Sequence, residues 1–175
     1  MPPALTVPGF PEARSRASFS RCRRYRYSLV REWDAAKERI CFCMLNPSTA
    51  DERQNDPTVR RAIGYALDRG FGSIEVVNAF ALRSTDPAAL KRAIDDGLDP
   101  IGARNDEAIR RAAARSKTVV AAWGAHARLL DRDRAVRSLL GDHPGCVALG
   151  FTADGLPRHP LYLRADAPFI ALPRI

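Results

Sequence analysis

Two apolar rhythms alternate along this chain. Arg24 to Trp33 places Tyr25, Tyr27 and Leu29 every second residue, the period of a half-buried strand. After the turn Asp34-Ala35-Ala36-Lys37, Arg39 to Leu45 is nearly all apolar and reads as a more buried strand. The two are expected to form an N-terminal β-hairpin. At Asp56-Pro57 the rhythm changes: Asp is an N-cap residue and Pro fits the first helical position. Val59, Ile63 and Leu67 then recur every four residues, and Gly70 ends the helix. Ser73 to Phe80 returns to strand. Asp86-Pro87 repeats the helix start, with Leu90 and Ile94 on one face and Gly97 closing. A third helix is expected over 105–115, with Ile109 inward, and a strand over Thr118 to Trp123. Gly124 is expected to open a long helix to about Leu140. The turn Gly141-Asp142-His143-Pro144-Gly145 leads to a short strand, Cys146 to Leu149. A tight turn at Ala153-Asp154-Gly155 precedes Arg158-His159-Pro160.

Strands alternating with helices predict an α/β fold, three-layer α/β/α, with a mostly parallel central sheet and right-handed crossovers. Residues 1–20 are rich in Pro, Ser and Arg without periodicity and read as a flexible basic N-terminal arm. Residues 21–175 read as a single domain, since 175 residues are too few for two comfortable cores.

Composition narrows the function. Hydrophobic residues make up 46% and charged residues 27%, an ordinary globular balance. No apolar run reaches the roughly 18 residues of a membrane span, and no signal peptide is visible, so a cytoplasmic protein is expected. Net charge is +8, and only Lys37, Lys91 and Lys117 of the 28 basic residues are lysine. The arginines reflect either a coding bias or phosphate binding through bidentate forks. The cysteines Cys22, Cys41, Cys43 and Cys146 form no CxxC pair. They read as structural thiols, and no metal or cofactor is expected. Asp51, Asp56 and Asp86 are conceivable metal ligands, but helix capping accounts for Asp56 and Asp86.

Candidate chemistry sits where strands end. Asn46-Pro47 follows a buried strand, and proline forces the chain to turn there. The Asn46 amide either caps its loop or offers a donor and an acceptor to a ligand. Asn78 interrupts an apolar strand. A buried amide costs about 1–3 kcal/mol unless paired, so backbone satisfies it or a ligand does. Trp123-Gly124 is a tight strand-to-helix turn, or a helix N-terminus aimed at a crevice. His159 lies between Arg158 and Arg164 and is the histidine placed to meet an anion. His143 lies in a turn and His126 in a first helical turn. Strand C-termini converge on one crevice in an open α/β sheet, so these residues are expected to face a planar polar ligand such as a base.

From about Arg24 to Arg164 the chain resembles an uncharacterised bacterial and phage domain family. The resemblance rests on the block Leu45-Asn46-Pro47-Ser48-Thr49-Ala50-Asp51, on Asp56-Pro57-Thr58, Val76-Val77-Asn78, Asn105-Asp106, Ala122-Trp123-Gly124 and His159-Pro160-Leu161-Tyr162. More distantly, the order of these segments resembles the uracil-DNA glycosylase superfamily. That resemblance implies that Asn46, beside Pro47, positions water, and that Asn78 reads a pyrimidine edge. His159 would be an electrophile, and Leu161, Tyr162 and Leu163 a wedge entering the duplex, with Arg158 and Arg164 on phosphates. Tyr65, Phe71 or Phe80 would stack on the base, and Phe80 is placed with the base-binding set. Asn46 stands where the most active branch has a carboxylate, and an amide cannot act as general base. Ser48 stands where a tyrosine excludes a 5-methyl group. The implied function is a DNA-binding protein for a flipped or single-stranded pyrimidine, a DNA-repair glycosylase of damaged or 5-modified bases if catalytic. The alternatives are a non-catalytic nucleic-acid or nucleotide-binding module on the same fold, and a small-molecule hydrolase. DNA is the expected partner; no membrane and no cofactor are.

Overall fold

The computed structural model describes residues 7–86, 88–141 and 143–173. Pro87 of the expected helix start, Asp142 of the expected turn, and residues 1–6 of the expected arm lie outside them. In chain order the elements are β1 (Arg14–Phe19), β2 (Arg26–Glu32), β3 (Arg39–Met44), α1 (Pro57–Asp68), β4 (Ser73–Asn78), α2 (Ala88–Asp95), α3 (Asn105–Ala114), β5 (Thr118–Ala121), α4 (Arg132–Leu140), β6 (Cys146–Ala148) and β7 (Ile170–Ala171). Short 3-10 turns run over Ala125–Asp131, interrupted by non-helical backbone at Leu129 and Leu130, and over Pro160–Tyr162.

The seven strands form one α/β sheet in the order β1-β2-β4-β3-β5-β6-β7. It is mixed rather than mostly parallel. The four central strands β4-β3-β5-β6 run parallel, while β2 and β7 flank them antiparallel. The expected pairing of β2 with β3 does not form. The chain leaves β3 through α1 and returns as β4 alongside it, Met44 opposite Asn78, and β4 lies between the two expected partners. The hairpin partner of β2 is β1, with Ala17 opposite Leu29. Arg14–Phe19, expected within a loose arm, is therefore an edge strand. Its exposed Arg14 and Arg16 alternate with half-buried Ser15 and Ala17, a charged edge of the kind that resists pairing with other chains.

Period two sorts the core. Ile40, Phe42, Ile74 and Val76 pack with Val59, Ala62, Ile63 and Ala66 of α1 on one face. Cys41, Cys43, Val77 and Val119 pack with Leu90 of α2, Ile109 of α3 and Val136 of α4 on the other. Each fully buried aliphatic side chain contributes about 1.5–3 kcal/mol. Burial holds the Cys41 and Cys43 thiols above the ordinary range.

The connection through α1 takes the chain from β3 to one neighbour. The connection through α2 and α3 takes it back across to the other neighbour, β5, on the opposite face. Strand order thus reverses beside β3, and a crevice opens outside the ends of β3 and β5.

The long helix expected from Gly124 is broken. Leu130 and Asp131 adopt left-handed φ of 54° and 53°, and α4 starts only at Arg132. The break puts Arg132 where it is needed. Its buried guanidinium donates from Nε to Ala79 O at 2.6 Å and pairs through Nη2 with Asp106, locking α4 to the tip of β4. Trp123 Nε1 donates to Asp133 Oδ1 at 2.7 Å in the same turn. Among the described residues no helix is long and apolar enough to cross a membrane.

Candidate functional site

A cleft of about 520 Å3 lies at the switch point. Asn46 and Ser48 line it from the loop after β3, and Trp123 and Gly124 from the tip of β5. Arg158, His159, Leu161 and Tyr162 line it from the segment between β6 and β7, and Thr58 from the start of α1. Eight of the residues expected at the site therefore share one cavity: Asn46, Ser48, Trp123, Gly124, Arg158, His159, Leu161 and Tyr162. Pro47, Asn78, Phe80, Leu163 and Arg164 do not line it. A larger hollow of about 930 Å3 between α4 and β7 holds none of them.

Local chemistry fixes Asn46. Its Nδ2 donates to Ser84 O at 3.0 Å and Pro47 O at 3.3 Å, while Ser84 N donates back to Pro47 O at 2.8 Å. Carbonyls only accept, so the amide orientation is set. Oδ1 is left with no protein partner among the described residues.

His159 is fixed from the other side. Gly124, at φ 73°, donates its N–H to Pro157 O at 2.8 Å, stitching the β5 tip to the histidine loop. A Cβ at position 124 would meet His159 Cβ at 3.9 Å on a backbone that side chains disfavour. The His159 Nδ1 accepts from Leu161 N at 3.4 Å, and the Tyr162 ring leans on the imidazole at 5.8 Å. Burial pushes its pKa down to about 4, against a weaker pull from Asp56. His159 is thus neutral near pH 7, and with Nδ1 accepting, its proton is on Nε2.

Asp56 is the carboxylate in the cleft lining. Oδ1 accepts from Val59 N at 2.8 Å as the cap of α1, and Oδ2 accepts from Ala50 N at 3.2 Å. Both oxygens are engaged in holding the loop. That loop is also held from beneath. Arg26 Nη1 donates to Ala50 O at 2.9 Å, and the buried Arg31 reaches Asp51 O, Gln54 O and Asn55 Oδ1.

The remaining expected residues lie around this frame. Asn78, 2% exposed, alternates with Ile74 and Val76 and so faces the α1 side of the sheet. Its backbone oxygen accepts from Asn105 Nδ2 at 2.9 Å, and its own Nδ2 has no partner among the described residues. Phe80 is wholly buried in the core on the opposite face. Leu163 O accepts from Arg61, and Arg164 forms an exposed ion pair with Asp166 at 3.0 Å. Sequence reasoning passed over His126, Ser84 and Thr152, which also line the cleft. The position of His126, two residues beyond a strand-ending glycine, was the available signal. Among the described residues, no three His, Cys, Asp or Glu side chains cluster in a way that could hold a metal ion.

The depressed histidine has a measurable signature. Between about 4 and the ordinary 6.5, the unfolded chain binds a proton that the folded chain refuses. This contribution to stability is fully present above that window and is lost as pH falls through it. NMR titration of the His159 imidazole should find no inflection near 6.5; an ordinary midpoint would remove the neutral-donor assignment.

The family described as a protein of unknown function (DUF1643) matches residues 26–161. The chain belongs to this family. The DUF1643 span begins at the loop-holding Arg26 and ends at Leu161, so it encloses every cleft residue named here except Tyr162. It leaves out the edge strands β1 and β7. No curated protein and no solved structure matches the chain.

Proposed function

We propose that the cleft receives a pyrimidine base, flipped from a duplex or offered by a single strand, on a three-layer fold of the uracil-DNA glycosylase kind. The observation that carries this reading is that neutral His159 and Asn46 line a single cavity with His159 Nδ1 and Asn46 Nδ2 engaged by backbone, which leaves the Nε2–H as donor and Oδ1 as acceptor for a ligand. The volume, about 520 Å3, suits a nucleoside-sized ligand. Arg158 is exposed and free of ion pairs among the described residues, available to a phosphate. Leu161 and Tyr162, 42% and 77% exposed, stand beside the opening as an apolar wedge. Extruding a base costs a few kcal/mol, least from mismatched or single-stranded DNA. Asn78, buried and outside the cleft lining, enters this scheme only when its orphaned Nδ2 becomes open to the base edge.

As chemistry, the bond from C1′ to the base nitrogen breaks with its electron pair leaving on the base. His159 Nε2–H stabilises that anion. Asn46 Oδ1 orients a water whose oxygen bonds to C1′. Its proton passes to solvent or the departing base, because both Asp56 oxygens are engaged by the backbone N–H groups of Val59 and Ala50 that hold the loop. Turnover is therefore slow. The same lack of a free carboxylate favours a second reading, a binding module that does no chemistry.

The test is single-turnover treatment of oligonucleotides carrying uracil, thymine or 5-hydroxymethyluracil, with alkali to reveal abasic sites. The small Ser48 in the cleft wall leaves the 5-substituted bases in contention. His159→Ala should lower the rate by roughly 10²–10³-fold, the usual cost of one oxyanion donor. DNA affinity should fall steeply with salt as phosphate contacts release counterions. Binding without abasic sites would select the module; no salt-dependent binding to either strand form would end both readings.

A further inference from the structure

Away from the cleft, the β1–β2 hairpin and α3 enclose a smaller hollow of about 180 Å3. Arg104, Arg111 and Arg115 line it with one carboxylate, Glu107; the hairpin contributes Ser18, Tyr27 and Ser28. The arginine spacing is that of one helical face, continued one residue ahead of α3. Gly102, at φ 88°, shapes the wall: a Cβ there would lie 3.0 Å from the Tyr25 ring and 3.2 Å from the Tyr27 ring. Its absence lets Tyr27 pack against the start of α3, with the Arg104 guanidinium 6.0 Å from the ring centroid.

The donors here are unevenly used. Arg115 holds the buried Glu75 with Nε and Nη2, at 2.8 and 2.5 Å, and keeps Nη1. Arg111 pairs with Glu107 across one helical turn. The Arg104 guanidinium has no ion pair or hydrogen bond, and neither do the hydroxyls of Ser18, Tyr27 and Ser28, among the described residues. Three hydroxyls and a free guanidinium around one small hollow, beside Arg111 and Arg115 that are paired with Glu107 and Glu75, suit a tetrahedral oxyanion with several acceptor oxygens.

We propose that this hollow binds a phosphate group. The inference does not depend on what the cleft holds. The phosphate is either a free anion or part of a polynucleotide backbone, and the recognition chemistry is the same.

Calorimetric titration of the full chain with inorganic phosphate, ionic strength held with chloride, should show saturable binding. Arg104→Gln should weaken it by about tenfold or more, the effect of losing one charge-assisted hydrogen bond. The Arg104 side chain is exposed and makes no hydrogen bond or ion pair among the described residues, and its backbone contact with Ala108 N is kept by any side chain, so the variant should fold as wild type does. Arg134→Gln, which removes the same charge elsewhere on the surface, should leave binding unchanged. A thymidine oligonucleotide that displaces phosphate identifies a backbone source; phosphate binding without displacement identifies a small anion. Absence of saturable binding in the wild type, or binding that survives both Arg104→Gln and Arg111→Gln, overturns the proposal.

Discussion

Arg31→Met should destabilise the protein by about 3–5 kcal/mol, as expected for losing several hydrogen bonds to a buried charge. Arg31 is wholly buried, and its guanidinium is divided among two strands and a loop. Nε donates to Asn55 Oδ1 at 2.9 Å, Nη1 to Ser15 Oγ at 2.7 Å, and Nη2 to Asp51 O and Gln54 O at 2.5 and 3.1 Å. Methionine fills the volume and removes every donor, so the hydrogen bonds to Asn55 Oδ1, Ser15 Oγ, Asp51 O and Gln54 O are all lost. One term opposes the loss: burial already lowers the Arg31 pKa to about 10, and methionine relieves that desolvation. The acceptors outnumber that single gain, so the net effect remains a loss. Denaturant midpoints of wild type, Arg31→Met and Arg31→Lys measure it. Lysine keeps the charge without the planar fork and should recover less than half. Faster amide exchange should be confined first to residues 50–56, the segment that carries the Asp56 cap. An unchanged midpoint would mean that Arg31 does not hold this loop.

The arginine content therefore has two origins that composition cannot separate. Arg26, Arg31 and Arg132 are 2%, 0% and 2% exposed and hold the chain's own carbonyls, so they offer nothing to DNA. Arg158 and Arg104 are exposed and unpaired. Nothing local distinguishes Arg31 in an alternating strand from Arg158 in a loop; the partners of Arg31 lie some twenty residues away. The central strands and helix starts are legible because their signals are local. The apolar run Arg39–Met44 and the Asp56-Pro57 cap fold as their sequence predicts. Strand pairing is not local. The pairing of β2 with β4 rather than β3 follows from the crossover through α1, and the edge strand β1 has only weak alternation to announce it. The candidate cleft was legible as far as strand tips define it, which brought Asn46, Trp123-Gly124 and His159 together. The direction of Asn78 was not: strand alternation turns it to the α1 face, where Ala50 of the loop held by Arg26 also packs.

Asn46→Asp should raise N-glycosidic cleavage by roughly 10²–10⁴-fold, the usual contribution of a positioned general base. The amide is held with Nδ2 against the carbonyls of Ser84 and Pro47, so its other atom is the one offered to the cleft. A carboxylate in the same place sets one oxygen against two carbonyl oxygens. That repulsion disfavours the charged form and raises the pKa of the introduced carboxyl. A raised value brings the base nearer to neutral pH, where it abstracts a proton from water most effectively. The sign of the pH dependence follows: the gain should be absent at low pH and grow as pH rises through the carboxyl's pKa. Stability should move the other way, because the folded state binds the proton more tightly than the unfolded chain and loses that advantage as pH rises. Single-turnover rates against pH for wild type, Asn46→Asp and Asn46→Ala separate the cases. A rate gain in the aspartate variant alone, with unchanged DNA affinity, places Asn46 at the attacking water. Retained DNA binding with no cleavage by any of the three would mean that the cleft holds a base without hydrolysing it, and that the amide is part of a reader rather than a weakened catalyst.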